Sequence, residues 1–295
     1  MAHSVFRVPE TVNLHISAYC NLRCVYCYGS FPERPPYISV DAWKHILDGL
    51  LTAGVKRANF SGGEPTLYPR FHELVAHAKA IGLQPSIITN GKKLTDETLK
   101  LFDLVGLSID SADDAVSAKM GRVDRDIPSY REFISELALR AKKLGTRVKI
   151  NTVVTALNIE ENLSELYLAL RPEKIKLLQF TEVLGENDAS ADKLRVSDEQ
   201  FRRFADRHTH LSAQGIWVEP EPASTIAATY VMIDPSGRLF QHNGHGHSFS
   251  RPLTECTLAE AMRETGGYNR DRFEERGGHR DVRSLPILGR SAPSR

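Results

Sequence analysis

The chain has 295 residues, 41% of them hydrophobic and 25% charged, enough for one large buried core or a core with an extension. A net charge of +1 gives no global case for a nucleic-acid or anionic-membrane partner, and four cysteines, three of them clustered, fit a reducing compartment and a metal site better than a disulfide framework. The opening "MAHSVFRVPETVNL" lacks an apolar run and no stretch approaches the roughly 20 apolar residues of a membrane span, so the expectation is a soluble, cytoplasmic protein.

A first strand is expected at "TVNLHIS", then the loop "SAYCNLRCVYCYG". A helix follows in "SVDAWKHILDGLLTAG", with Trp43, Ile46, Leu47, Leu50 and Leu51 at helical spacing and Gly54 as the stop. The unit then repeats. "RANFSG" leads to the helix "FHELVAHAKAIG", "PSIITNG" to "TDETLKLF", and "VGLSID" to "SYREFISELALRAKKLG". "RVKINTVV" leads to "ENLSELYLALRP", and "KIKLLQF" closes the series. Strands alternating with helices in this way predict an α/β fold with a parallel sheet joined by right-handed crossovers. Six units fall short of the eight that close a barrel, so an open, partial (β/α)6 TIM-like barrel is expected over residues 1–185. Residues 186–295 read as an extension that completes the ligand site. It comprises a helix at "SDEQFRRFADRHTHLSAQG", a hairpin in "TYVMIDPSGRLFQ" turning at Pro235-Ser236-Gly237, a short helical stretch and a Gly/Arg-rich tail. "HNGHGH" (242–247) reads as a loop, and Cys256 as a small core residue.

Side chains alternate faces along a strand. Val12, Leu14, Ile16, Ala58, Phe60, Val148, Ile150, Ile175 and Leu177 therefore face the helices. The opposite, polar faces carry Asn13, His15 and Ser17, then Arg57, Asn59 and Ser61, then Lys149 and Asn151, then Lys174 and Lys176. The interior is thus expected to be wet and cationic. Any one of these lysines reads equally well as reaching solvent from a strand end. Arg57, Lys149, Lys174 and Lys176 recurring on one face point instead to a polyanionic ligand, because buried cations need anionic partners.

Cys20, Cys24 and Cys27 are spaced C-x3-C-x2-C in the loop after the first strand. A structural zinc site and an ordinary four-iron cluster each want four protein ligands. Either a distant residue, such as one of the eleven histidines, completes the set, or one coordination position stays open. With Tyr26 immediately before the last cysteine, the pattern resembles the radical S-adenosylmethionine signature. The resemblance implies a [4Fe-4S] cluster held by the three thiolates, with S-adenosylmethionine as cosubstrate on the fourth iron. It assigns Gly62, Gly63 and Glu64 of "SGGEP" to the methionine amino group, and Ser108 of "LSID" and Arg122 of "KMGRVD" to the cofactor's ribose and carboxylate. Tyr26 and Asn151 belong to the same cofactor-binding set.

The order of "VNLHISAYCNLRCVYCY", "NFSGGEP", "LSIDS", "KINTVVTALNIEENL", "IKLLQF…GEN", "YVMID…GRLF" and "FEERGGH", over roughly residues 10 to 280, is similar to the viperin family. Those are radical S-adenosylmethionine lyases of antiviral defence that turn a nucleoside triphosphate into its 3′-deoxy-3′,4′-didehydro form, a chain terminator. The resemblance implies CTP, UTP or GTP as substrate, held by Asn13, Arg57, Lys149, Lys174 and Lys176, with Arg276, Gly277 and Gly278 closing on phosphate. It implies Tyr230 as a late relay of hydrogen or an electron, where the plainer reading is an aromatic packed in the core. An external one-electron donor of the flavodoxin or ferredoxin type is implied, with no membrane and no stable nucleic-acid partner. Two rivals remain: a radical enzyme that modifies peptides or RNA, and a metal-binding interaction module without turnover. Only Cys256 is left over for an auxiliary cluster of the first rival, and deoxyadenosine formation separates either enzyme from the second.

Overall fold

The computed structural model describes residues 8–33, 35–244 and 246–275. The first strand, β1 (Thr11–His15), is followed by α1 (Val40–Thr52), β2 (Arg57–Ser61), α2 (Phe71–Ala80), β3 (Gln84–Thr89), α3 (Asp96–Leu99) and β4 (Leu104–Ser108). Next come α4 (Asp114–Lys119), α5 (Tyr130–Lys143), β5 (Arg147–Val154), α6 (Ser164–Leu170) and β6 (Lys174–Gln179). The remainder comprises α7 (Ala191–Leu194), α8 (Asp198–His208), β7 (Trp217–Glu221), β8 (Met232–Ile233), β9 (Arg238–His242), β10 (His247–Pro252), α9 (Leu258–Glu264) and α10 (Arg270–Glu275). All six strands of the repeated unit form where the alternation placed them.

Helix α1 shows why the units hold. Ser39 caps its start by accepting from the Ala42 N–H, while Val40, Trp43, Ile46, Leu47 and Leu50 are buried along one face. Gly54, at φ +96°, ends it in a conformation that a Cβ would disfavour. Across the sheet, Val12, Leu14, Ala58, Phe60, Val148, Ile150, Ile175 and Leu177 are buried in the same core as these helix residues.

The sheet has ten strands in the order β10-β9-β8-β1-β2-β3-β4-β5-β6-β7. Strands β1 to β7 run parallel to their neighbours, and the edges β7 and β10 stay apart in that order, so the barrel is open. Strand β7 was not expected. "WVEPE" carries a proline, which removes a backbone donor and argues against a central strand. It is tolerated here because β7 lies at the sheet edge, paired from Lys174↔Trp217 to Leu178↔Glu221. The expected hairpin is β8–β9, and β8 joins the opposite flank of the sheet through Asn13↔Met232 and Leu14↔Ile233. The "HNGHGH" stretch is more than a loop: His242 ends β9 and faces His247, which starts β10. No described helix is long and apolar enough to cross a membrane.

Candidate active site

A cavity of about 650 Å³ opens on the inner face of the sheet, and Cys20, Cys24 and Cys27 line one part of it. The cysteine loop is gripped by backbone on two sides. Gly63 N–H donates to Ser17 O at 2.6 Å and Glu64 N–H to Tyr19 O at 2.7 Å. A Cβ at Gly63 would stand 2.4 Å from Tyr19 O, so only glycine permits this approach. On the other side Arg23 N–H donates to Gly121 O and Val25 N–H to Met120 O, both at 3.1 Å, and a Cβ at Gly121 would meet Arg23 O at 2.0 Å. Asn90, just past the end of β3, donates from Nδ2 to Asn21 Oδ1 at 2.8 Å and to Cys20 Sγ at 3.7 Å. Burial pushes the Cys20 thiol up to about 11 and the Cys27 thiol to about 12. A metal bound there must displace their protons. Cys256 is outside the cavity wall and packs against the core, as expected.

Beside the thiols, Glu64 is buried and accepts from Thr89 Oγ1 at 2.6 Å, Thr66 Oγ1 at 2.7 Å, Asn90 N–H at 2.8 Å and Thr66 N–H at 3.1 Å. Burial raises its pKa, and these four donors oppose the rise. Arg122 is also buried. Its Nε bonds Asp110 and, at 2.8 Å, the Tyr26 hydroxyl, and its Nη1 donates to Tyr130 Oη at 3.2 Å. Tyr26 in turn donates to Asp110, so the aromatic before Cys27 ties the cysteine loop to the Asp110–Arg122 pair. Sequence reasoning missed Asp110; its signal was the acidic end of "LSID". Ser108 and Asn151 complete this wall, and Asn151 Oδ1 is buried with no hydrogen-bond partner among the described residues.

These residues fit the implied group. Among the described residues no three His, Cys, Asp or Glu side chains converge on a single-ion site. Three thiols around one cavity, a fixed carboxylate, a guanidinium and an unmatched amide oxygen are donors of the number and kind that a cluster with one open iron and an amino-acid ligand would use.

Deeper along the strands the wall becomes charged. Lys149, Lys176, Asn13 and Tyr230 line the cavity. Lys176 Nζ lies 2.5 Å from Glu221 Oε1, 3.3 Å from Glu219 Oε1 and 3.0 Å from Tyr230 Oη. Lys149 has no ion pair or hydrogen bond to a described residue, and burial, followed by the charges of Lys176 and Lys174, lowers its pKa. Arg57 and Lys174 do not reach the cavity wall. Arg57 opens β2 one step below the lining Asn59, whereas Lys174 lies level with Lys149 in the β5–β6 pairing and is engaged by β7 instead. Arg57 donates to Gln84, which opens β3, at 3.2 Å. Lys174 pairs with Glu219 and lies 4.2 Å from the centre of the Trp217 ring. The expected wet, cationic interior is therefore corrected by two carboxylates from β7, the strand whose proline hid it. Arg276, Gly277 and Gly278 lie outside the described residues.

Residues 14–171 match the Radical SAM superfamily. The chain is 33% identical over 288 residues to an S-adenosylmethionine-dependent nucleotide dehydratase of Lacinutrix mariniflava, covering 94% of this chain and 59% of that protein. It is 32% identical over 281 residues to one of Flammeovirga pacifica, covering 92% of this chain and 95% of that protein. Among solved structures, Streptococcus suis SuiB bound to S-adenosylmethionine superposes with a TM-score of 0.65 at 20% identity, over 78% of this chain and 59% of that one. That likeness is one of fold.

Proposed function

Because the chain belongs to the radical SAM superfamily and, within it, to the S-adenosylmethionine-dependent nucleotide dehydratases, the viperin family, we propose that it converts a nucleoside triphosphate to the 3′-deoxy-3′,4′-didehydro analogue. When bound, the cluster and S-adenosylmethionine would supply a 5′-deoxyadenosyl radical that removes the ribose 4′ hydrogen. Cys20, Cys24 and Cys27 would hold the cluster, and Gly62, Gly63, Glu64, Ser108, Arg122 and Asn151 would hold the cosubstrate, with Tyr26 bracing Arg122.

The observation that carries the reading is one cavity with thiols at one end and lysines at the other. Side chains two residues apart on a strand face are about 7 Å apart, so Lys149 sits one such step below Asn151 on β5. A triphosphate on Lys149, Lys176 and Asn13 would then present its ribose toward the cofactor residues. Arg57 would support this wall from beneath and Lys174 from beside Lys149. Tyr230 is half-exposed to the cavity, placed to act on the ribose after the first hydrogen has gone. Residues from 186 onward supply Glu219, Glu221 and Tyr230, which supports reading that segment as the part that completes the nucleotide site. Phosphate contacts do not read the base, so CTP, UTP and GTP all fit the wall. The product, lacking a 3′ hydroxyl, would terminate a growing viral nucleic acid, and a flavodoxin- or ferredoxin-type donor would supply electrons.

The test is the anaerobically reconstituted protein with S-adenosylmethionine, a reductant and each triphosphate in turn. One triphosphate should disappear in step with deoxyadenosine, giving a product lighter by one water. Deoxyadenosine formed at the same rate with no nucleotide consumed would refute the reading.

A further inference from the structure

Tyr230, Lys176 and Glu221 hold one another in a ring of contacts. The Tyr230 hydroxyl donates to Glu221 Oε2 at 2.5 Å and accepts from Lys176 Nζ at 3.0 Å, while Lys176 Nζ sits 2.5 Å from Glu221 Oε1. Glu221 is wholly buried and is not part of the cavity wall, whereas Tyr230 and Lys176 are. The neighbouring charges are Lys149 on β5, Lys174 on β6 and Glu219 two residues away on β7, with Tyr28 approaching from the cysteine loop. A phenol has one proton, and this one is directed at a carboxylate behind the wall rather than into the cavity.

From this geometry we propose that Glu221 is a positioning residue that takes the phenolic proton of Tyr230, so that Tyr230 serves the reaction as an electron donor and not as a hydrogen-atom donor. The proposal rests on the nucleotide dehydratase reading and specifies its last step. Once the 4′ hydrogen is gone and the 3′ hydroxyl has left as water, carrying one proton taken up from solvent, the nucleotide is a radical cation one electron short of the didehydro product. Tyr230 gives that electron. Its O–H bond breaks, an O–H bond forms at Glu221 Oε2, and a neutral tyrosyl radical remains beside a neutral carboxylic acid. The nucleotide is reduced, the tyrosine is oxidised, and charge is conserved. One electron from an external one-electron carrier, with the proton returned from Glu221, restores the pair. Lys176, donating to the phenolic oxygen and facing the same carboxylate, holds the three atoms in register.

The test compares Glu221→Gln, Glu221→Asp and Tyr230→Phe in the reconstituted holoenzyme. Glu221→Gln keeps the side-chain shape but accepts no proton, so product formed per deoxyadenosine should fall by about 100-fold, the size of a lost acid–base contribution. Triphosphate affinity, read by calorimetry on the same protein, should instead hold or tighten by about three- to tenfold, because a negative charge behind the wall is gone. Product per deoxyadenosine in Glu221→Gln should recover as pH approaches about 10, where a phenol ionises without help, and the Glu221→Asp variant should recover part of it at neutral pH. The Glu221→Gln/Tyr230→Phe double variant should be no worse than Tyr230→Phe alone. An unchanged product ratio in Glu221→Gln would overturn the proposal. So would a ratio that falls together with weaker triphosphate binding and shows no recovery with pH, since that is the signature of a disturbed wall. Consumption of triphosphate by the unmutated protein separates failure of this step from failure of the dehydratase reading.

Discussion

At the thiol end of the cavity, read as the cofactor end, backbone grips backbone; at the lysine end, read as the nucleotide end, side chain holds side chain. The cysteine loop is fixed by main-chain bonds from the Gly62–Glu64 turn and from Met120 and Gly121, at glycines where no other residue fits. The lysines on β6 are fixed by Glu219 and Glu221 across a strand pairing, with Lys149 of β5 beside them. The first arrangement defines one shape and tolerates little. The second keeps charges in balance until a polyanion arrives. The two ends should therefore respond to different changes.

The largest separation is expected from Cys20, Cys24 and Cys27 changed together to alanine. About four irons per chain should be lost, along with all cleavage of S-adenosylmethionine, while triphosphate affinity by calorimetry stays within about twofold, as independent sites allow. A triple variant that keeps its iron would dissolve the distinction between the ends.

Lys149→Ala probes the opposite end and leaves no carboxylate stranded, since Lys149 has no ion pair with a described residue. A charge-assisted hydrogen bond contributes about 1.5–3 kcal/mol, so triphosphate binding should weaken by about 10- to 100-fold. Uncoupled cleavage of S-adenosylmethionine should barely change. Nucleoside and triphosphate binding equally well to the unmutated protein would remove the phosphate role from this wall.

Lys174 sharpens the contrast within the charged end. Lys174→Met takes from the buried Glu219 its nearer cation, leaving Lys176 at 3.3 Å, and should cost up to about 3 kcal/mol of stability in denaturant titration, with little effect on triphosphate affinity. Adding Glu219→Met should restore most of that stability. A large loss of affinity with unchanged stability would return Lys174 to the binding wall.

How far each end was legible in the sequence follows from the same contrast. The cofactor end is local: C-x3-C-x2-C, "SGGEP" and "LSID" each sit at the C-terminal end of a strand, so spacing and alternation place them. The charged end depends on which strand lies beside β6. Alternation put Lys149 and Lys176 inward, and they are. It could not show that Arg57 stands one step below the lining Asn59, or that Lys174, level with Lys149, is taken up by Glu219, because both depend on which strands lie alongside. Glu219 and Glu221 stayed hidden because the prolines around them removed the strand signal. Asp110 and Asn90 were visible as residues, but their bonds to Arg122 and Cys20 span 12 and 70 positions of chain.

The smallest effect is expected where the two ends meet. His15 is buried against Tyr28, Phe31 and Phe240, and burial, then the charge of His247, lowers its pKa to about 3; burial lowers that of His247 to about 4. Both are neutral when folded but take up protons near pH 6.5 when unfolded. Their packing should therefore contribute fully above pH 6.5, and stability should decline as pH falls from there toward 4. Melting curves of His15→Phe should show a shallower decline across that window. An unchanged slope would place the acid sensitivity elsewhere.

The central claim is that the two ends serve a single reaction, with a hydrogen passing from the nucleotide held at one to the cofactor held at the other. A triphosphate carrying deuterium only at the 4′ carbon tests it directly. The account predicts that mass spectrometry of the deoxyadenosine formed will show one deuterium per molecule and that the dehydrated product will carry none. Deuterium retained in the nucleotide product, with unlabelled deoxyadenosine, would contradict it.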